Sequence, residues 1–264
     1  MHNGAIMPSE VAYLVNTDQP FPVIRLSGAL GPPDAAGVRA TVLGVLATQP
    51  EAAVIDVDAV RLDDPSQARL LAAVVEEAAA WPASRIVVST RRREPWVDAG
   101  LFVCPDVATS FAELGKPLPG IRRRLVLEPV IGAARRAREL VTEACVQWKC
   151  PDLCGPACIV VTEMVNNVVA HAKSEMTVLL ARLRDTISVA VRDRSSIVPR
   201  FTGPVSPTAY GGRGLLLIDS VSDRWGSLSL GDGKVVWSLL ALDEAGEPAG
   251  RRPVETGIPD PARG

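Results

Sequence analysis

The stretch TEMVNNVVAHA, residues 162–172, constrains the fold of this chain more than any other segment. Spaced at about 100° per residue, its apolar side chains fall on one arc, which predicts a helix packed against a hydrophobic core. The arc contains Val161, Met164, Val165, Val168, Val169 and Ala172. The opposite face carries Glu163, Asn167 and His171, with Asn166 at its edge.

That polar face is unlike an ordinary solvent-exposed helix face. Exposed faces usually carry long charged side chains that form i,i+4 ion pairs. Here one carboxylate, two amides and one imidazole stand together, all short and directional in their hydrogen bonding. Two interpretations stay open from this segment alone: the face lines a ligand site, or it packs against a neighbouring element.

Length and charge limit the classes of protein to consider. The chain has 264 residues, enough for two domains, and 47% of them are hydrophobic. A formal charge of −2 and a pI near 5.8 argue against a nucleic-acid partner, because such proteins usually carry a basic excess. The first ten residues do not resemble a signal peptide, and we find no apolar run of membrane-spanning length. We therefore expect a cytoplasmic protein without a membrane partner.

The five cysteines include three spaced by four residues, Cys150, Cys154 and Cys158. An odd number of cysteines without an export signal argues against a disulfide framework. Pro151 and Pro156 predict a bend in this segment, and no CxxC occurs, so small buried thiols are favoured over a metal or redox site.

The order of predicted elements indicates two α/β domains. Residues 20–115 alternate β-branched strands with amphipathic helices, and residues 116–121 form a linker rich in Pro and Gly. Residues 122–242 contain two helices, paired strands and a final hairpin with its turn at Gly231-Asp232-Gly233. Residues 1–19 are predicted to be a flexible N-terminus, and residues 243–264 a disordered tail.

Three pieces of the second domain could meet one ligand. On the polar helix face, the amide oxygen of Asn167 suits Mg²⁺, and Glu163 one turn earlier could accept a proton from a hydroxyl. Asp193 ends the predicted strand TISVAVRD and could accept the amino group of an adenine ring. The glycines of GGRGL, residues 211–215, free the backbone before a helix whose first N–H groups could hold phosphate.

Taken in order, these motifs resemble the ATP-binding domain shared by anti-sigma-factor serine kinases and histidine kinases, the GHKL or Bergerat fold. The resemblance rests on EMVNNVVAHA, VRDRS and GGRGLLLID, followed by DRWG and GKVVWSLL near the end. It implies a two-layer α/β sandwich for residues 122–242 that binds ATP and Mg²⁺. The only histidines are His2 and His171, which argues against a histidine kinase that phosphorylates a separate helical segment.

The resemblance also implies roles for single residues. Glu163 matches the catalytic glutamate, Asn167 the Mg²⁺-binding asparagine, and Asp193 the adenine-binding aspartate. The phosphate-binding segment corresponds to Gly211, Gly212, Arg213 and Gly214, at the end of a lid that begins near residue 195. One position departs from the family pattern: Ser195 stands where the family has a glycine, and its side chain is expected to narrow the adenine pocket.

The first domain is similar to STAS domains, the fold of anti-sigma-factor antagonists, which implies a mixed sheet with helices. In that family a serine at the start of a helix accepts phosphate, and Ser66 takes its place here. Asp64 is expected to cap the helix with Pro65 at its first position. Gln67 replaces the family glycine. Two interpretations of Ser66 therefore stay open: it is a phosphoacceptor, or it is a structural serine in the first turn of a helix.

Two functions from different classes follow from the resemblance. In the first, the chain is a serine/threonine-protein kinase that transfers the γ-phosphate of ATP to a serine of a STAS-type antagonist. In the second, it is a non-catalytic switch in which nucleotide sets the affinity for a sigma factor or an antagonist. A contact between the chain's own two domains and a homodimer are further expected partnerships.

Overall fold

The structure, a computed structural model, describes residues 11–81, 84–183, 186–196 and 213–241, without the side chains of residues 183 and 213. The chain divides into two compact units, Met1–Gly120 and Ile121–Gly264. This division falls inside the predicted linker 116–121. The predicted tail at 243–264 and the predicted strand turn at Arg184-Asp185 lie outside the described residues.

The first unit contains a mixed sheet with helices, as predicted. Its strands are β1 (Ala12–Asn16), β2 (Val23–Ala29), β3 (Ala52–Arg61), β4 (Arg85–Ser89) and β5 (Val103–Cys104), and its α-helices are α1 (Ala35–Leu46), α2 (Ala68–Ala79), α3 (Glu94–Asp98) and α4 (Val107–Leu114). The strand order is β1-β2-β3-β4-β5, in which β1 runs antiparallel to β2 and the other pairs are parallel. The first four residues of β3 are buried, because β3 has parallel neighbours on both edges.

Strand β1 corrects the predicted flexible N-terminus, residues 1–19, at Ala12–Asn16. Residues 1–10 of that predicted segment lie outside the described residues. Ala12–Asn16 pairs with β2 in an antiparallel register, with Leu14 opposite Arg25. The strand lies at the sheet edge, and Leu14 is 58% exposed. Such a strand is stabilised by pairing with its neighbour, so the sequence of its five residues does not by itself predict a strand.

The second unit contains an antiparallel sheet covered by helices. Its strands are β6 (Arg122–Leu127), β7 (Met176–Leu183), β8 (Thr186–Asp193), β9 (Arg224–Leu230) and β10 (Gly233–Ala241), and its α-helices are α5 (Ala133–Trp148), α6 (Cys154–Asn167) and α7 (Arg213–Val221). The strand order is β6-β7-β8-β10-β9. Alternate residues of β8, namely Ile187, Val189 and Val191, share one core cluster with apolar residues of all three helices. This arrangement confirms the predicted two-layer α/β sandwich.

Helix α6 is the central helix of that core. Val161 and Val165 are fully buried, and Met164 is almost so, as the predicted apolar arc requires. With its flanking turns the helical segment spans Pro151–Ala172, 22 residues, and its most apolar 18-residue window has a mean hydropathy of 1.5. By length and composition this one segment of the described chain could cross a membrane, contrary to the expectation that no run approaches that length. Its apolar arc instead packs in the hydrophobic core against the sheet.

Gly233 positions the end of the sheet. The β9–β10 turn consists of Gly231 and Asp232, and Gly233 is already the first residue of β10 rather than part of the turn as predicted. Its φ is +150°, and a Cβ atom there would lie 2.0 Å from the backbone oxygen of Asp193. Only glycine therefore lets β10 approach the end of β8 this closely.

We expect Gly233→Ala to destabilise the second unit by about 1–3 kcal/mol or more, because both the steric contact and the positive φ oppose a side chain. Gly44→Ala in α1 is the matched control, since a Cβ there meets nothing within 4 Å. Urea unfolding followed by tryptophan fluorescence measures both variants. An unfolding midpoint for Gly233→Ala equal to that of the wild type would contradict this description of the β8–β10 junction.

Candidate functional site

The polar face of α6 carries two side chains that make no hydrogen bond within the described residues. Glu163 and Asn167 are half-buried, whereas Asn166 and His171 are exposed. Within the described residues, neither Glu163 nor Asn167 forms a hydrogen bond or an ion pair. In the part of the chain that the structure describes, the carboxylate and the amide of this face therefore make no polar contact with a neighbouring element and are available to a ligand.

The helix changes geometry directly after Asn167. Residues Val168–Ala172 form a π-helical turn, which ends at Lys173 in the left-handed conformation. The predicted regular helix through Ala172 is therefore wrong in its last turn. Because a π turn holds more residues than an α turn, His171 leaves the i,i+4 line of Glu163 and Asn167. Local π turns occur frequently at functional sites.

Glu163 lies against the start of α7. A Cβ atom placed on Gly214 would lie 2.6 Å from Oε2 of Glu163, so the carboxylate contacts the first turn of this helix. The first turn of a helix favours negative charge, because its N–H groups have no partner within the helix. Of the predicted phosphate-binding residues, Arg213 begins α7 and Gly214 follows it, while Gly211 and Gly212 lie outside the described residues.

Asp193 ends β8 on the helix-covered side of the sheet. It follows Val191 and Val189 on the same strand face, and these two valines lie in the core shared with α6. Its Oδ1 accepts hydrogen bonds from the backbone N–H of Ser195 at 2.7 Å and from Nζ of Lys234 at 2.8 Å. Its Oδ2 has no partner among the described residues.

Lys234 was not found by sequence reasoning. It lies directly opposite Asp193 in the β8–β10 pairing, and the side chains of the two residues are 8% and 1% exposed, respectively. Removing one partner of a buried ion pair typically costs about 3–5 kcal/mol, because the other charge is left uncompensated. The only sign of this residue in the sequence is a lysine directly before the apolar run VVWSLLAL. That pattern does not indicate that the lysine pairs with Asp193.

Ser66 lies in the first unit, away from these residues in sequence. It is exposed, in a short 3₁₀ turn at Pro65–Gln67 that leads into α2. Its backbone N–H donates to Oδ1 of Asp64 at 2.8 Å, which confirms the predicted cap, and this hydrogen bond lowers the pKa of Asp64. Ser66 lines two neighbouring cavities of about 410 and 220 Å³.

The cysteines of the second unit form one cluster. Lys149 ends α5 in the left-handed conformation, and the N–H of Cys150 then bonds back to the carbonyl of Cys145 at 3.0 Å, so Cys145 joins the three predicted thiols. Burial raises the pKa of Cys145, Cys150 and Cys158. In the part of the chain that the structure describes, no three His, Cys, Asp or Glu side chains are arranged to hold a metal ion.

Part of the second unit is similar to a known protein family. Residues 128–238 match the family model of the histidine kinase-like ATPase domain. This stretch contains Glu163, Asn167 and Asp193, so the candidate site lies within the matched residues. An ATPase domain implies nucleotide binding. No curated protein is similar to the chain in sequence.

Two solved structures are similar to parts of the chain. An anti-sigma factor antagonist from Mycobacterium paratuberculosis is 23% identical, with a TM-score of 0.35, over 40% of this chain and 96% of its own. The RsbU and RsbW domains of a Mycobacterium tuberculosis protein are 18% identical, with a TM-score of 0.35, over 47% of this chain and 32% of their own.

The contact between Glu163 and Gly214 predicts the effect of adding one methyl group. Gly214→Ala is expected to push the carboxylate away from the first turn of α7 and to weaken Mg·ATP binding about tenfold, or roughly 1.4 kcal/mol. Gly155→Ala, in the first turn of α6, is the control because a Cβ there meets nothing within 4 Å. Isothermal titration calorimetry compares the two. Equal affinities for both variants and the wild type would contradict a site at this junction.

Proposed function

We propose that the chain is an ATP-dependent serine/threonine-protein kinase of the anti-sigma-factor type, acting in the cytoplasm on a STAS-type antagonist. The observation that carries this proposal is the half-buried carboxylate of Glu163, which has no polar partner among the described residues. This carboxylate lies at the first turn of α7, within the stretch that matches the histidine kinase-like ATPase domain. A domain that only holds nucleotide has no need of such a carboxylate, whereas transfer to a hydroxyl needs a proton acceptor.

Residues of three elements, β8, α7 and α6, bind ATP. Asp193 accepts a hydrogen bond from the base through Oδ2, the acceptor left without a partner in the described residues. The first turn of α7, beginning at Arg213 and Gly214, offers N–H groups to phosphate oxygens, together with Gly211 and Gly212 of the same segment. The amide oxygen of Asn167 holds Mg²⁺, which neutralises charge on the phosphates.

Glu163 acts on the hydroxyl of the acceptor serine. The serine oxygen forms a bond to the γ-phosphorus while the bond from that phosphorus to the β–γ bridging oxygen breaks, and ADP leaves. The hydroxyl proton passes to the carboxylate of Glu163. Positioning and charge stabilisation account for most of the rate enhancement in phosphoryl transfer, so correct placement of this carboxylate by α6 and α7 is essential.

A second function, a non-catalytic nucleotide-dependent switch that binds a sigma factor or an antagonist, is favoured by the surroundings of Asp193. Nζ of Lys234 already donates to Oδ1, and Ser195, the residue that replaces the family glycine, donates to the same oxygen through its backbone N–H. Both features tune nucleotide affinity without contributing to transfer. In this case ATP binding persists and changes partner affinity, and no phosphate is transferred.

Incubation with γ-labelled ATP, Mg²⁺ and a STAS-type antagonist tests the kinase. We expect Glu163→Gln to lower transfer by about 10²-fold or more with nearly unchanged ATP affinity, because the proton acceptor is lost while the helix is kept. Asn167→Ala is expected to weaken Mg²⁺-dependent ATP binding itself. Both quantities are measured by filter binding and by label incorporation.

Glu143→Gln is the control for this experiment, since Glu143 is an exposed glutamate of the neighbouring helix α5. Transfer by Glu163→Gln at the rate of the Glu143→Gln control would exclude Glu163 as the proton acceptor. Saturable ATP binding without any transfer by the wild type would support the switch instead.

Ser66 is proposed as an acceptor for the same reaction, in its own chain or in another copy. Ser66→Ala is expected to remove the label from the first unit without unfolding it, because the backbone N–H of residue 66 still donates to Oδ1 of Asp64 when the hydroxyl is lost. Thr109→Ala is the matched control: it is also exposed in a first turn, and its N–H is capped by Asp106 at 2.7 Å. Mass spectrometry of tryptic peptides would contradict the proposal if label persisted in Ser66→Ala.

A further inference from the structure

The base-binding position contains a charge pair instead of a lone carboxylate. Nζ of Lys234 lies 2.8 Å from Oδ1 of Asp193, and both side chains are more than nine-tenths buried. The two residues are direct cross-strand neighbours, so their side chains emerge on the same face of the sheet. An ammonium group is therefore a built-in part of the position proposed to recognise the base.

The hydrogen bonds around this pair show which groups are left for a ligand. Oδ1 of Asp193 is committed to two donors, the N–H of Ser195 and Nζ of Lys234. Nζ makes a second, longer contact of 3.4 Å with the carbonyl oxygen of Ser195. An ammonium has three N–H donors, so one remains. Counting the described residues alone, the pair thus offers one acceptor without a donor, Oδ2, beside one N–H without an acceptor.

A lone carboxylate selects adenine for a simple reason. The amino group of adenine donates to it, whereas the equivalent oxygen of guanine, O6, is an acceptor and is repelled. A carboxylate beside an ammonium removes that discrimination, because the ammonium donates to O6 while the carboxylate accepts from the adjacent N1–H of guanine. Adenine is also matched, with its amino group on the carboxylate and its N1 on the ammonium.

We propose that Lys234 is a specificity-determining residue that allows the nucleotide site to bind guanine nucleotides as well as adenine nucleotides. This inference rests on the nucleotide site of the proposed function and adds its substrate class. Lys234 contacts the base directly, and Ser195 fixes the orientation of Asp193 through its backbone N–H.

Competition titrations on the full chain test this with Mg·ATP, Mg·GTP and Mg·ITP. The wild type is expected to bind ATP and GTP with Kd values within about tenfold of each other. ITP, which has O6 and N1–H but lacks the 2-amino group, is expected to bind as GTP does, because the pair does not use that group. GTP binding more than about a hundredfold weaker than ATP would overturn the proposal and leave the proposed kinase standing.

Lys234→Met separates a recognition role from a purely structural one. It is expected to raise the ratio of the GTP Kd to the ATP Kd at least about tenfold, since O6 loses its donor. The ratio is measured on one sample, so a smaller folded fraction does not change it. Lys116→Met, at an exposed position, is the control with an unchanged ratio.

Two further outcomes overturn the inference. An unchanged ratio in Lys234→Met would show that the lysine only balances the buried charge of Asp193. If neither ATP nor GTP binds the wild type, the nucleotide site itself is absent, and the proposed function fails together with this inference.

Discussion

The packing of α6 against the sheet is the contact on which the rest of the second unit depends. Val161 and Val165 are fully buried beside the alternate valines of β8, so the opposite face of the helix has a fixed direction. That direction brings Glu163 to the first turn of α7. Since the apolar arc cannot rotate without exposing the core, the polar face is held in place before any ligand arrives.

The second constraint is the close approach of β10 to the end of β8. Gly233 allows this approach, and the resulting register sets Lys234 opposite Asp193. The adenine-binding position inferred from family resemblance is therefore modified by a residue from another strand. Three elements thus supply the polar groups of the candidate site: α6 provides a carboxylate and an amide, β8 the carboxylate that we propose binds the base, and β10 the cation that we propose alters what this carboxylate recognises.

Local patterns were sufficient for some features and not for others. The 3.6-residue period of residues 161–172 predicted the buried arc, and Asp64 followed by Pro65 predicted the cap at Ser66. The partner of Asp193 depends on the register of β10, which is set by a backbone contact far along the chain. Strand β1 and the π turn after Asn167 also depend on tertiary packing, so their own residues gave little indication.

A crystal structure of the full chain with Mg²⁺ and a non-hydrolysable ATP analogue tests the central claim most directly. The account predicts one nucleotide in the second unit, with its base at Asp193, its phosphates at the first turn of α7 and Mg²⁺ at Asn167. A nucleotide bound elsewhere, or bound here without contact to the polar face of α6, would contradict it.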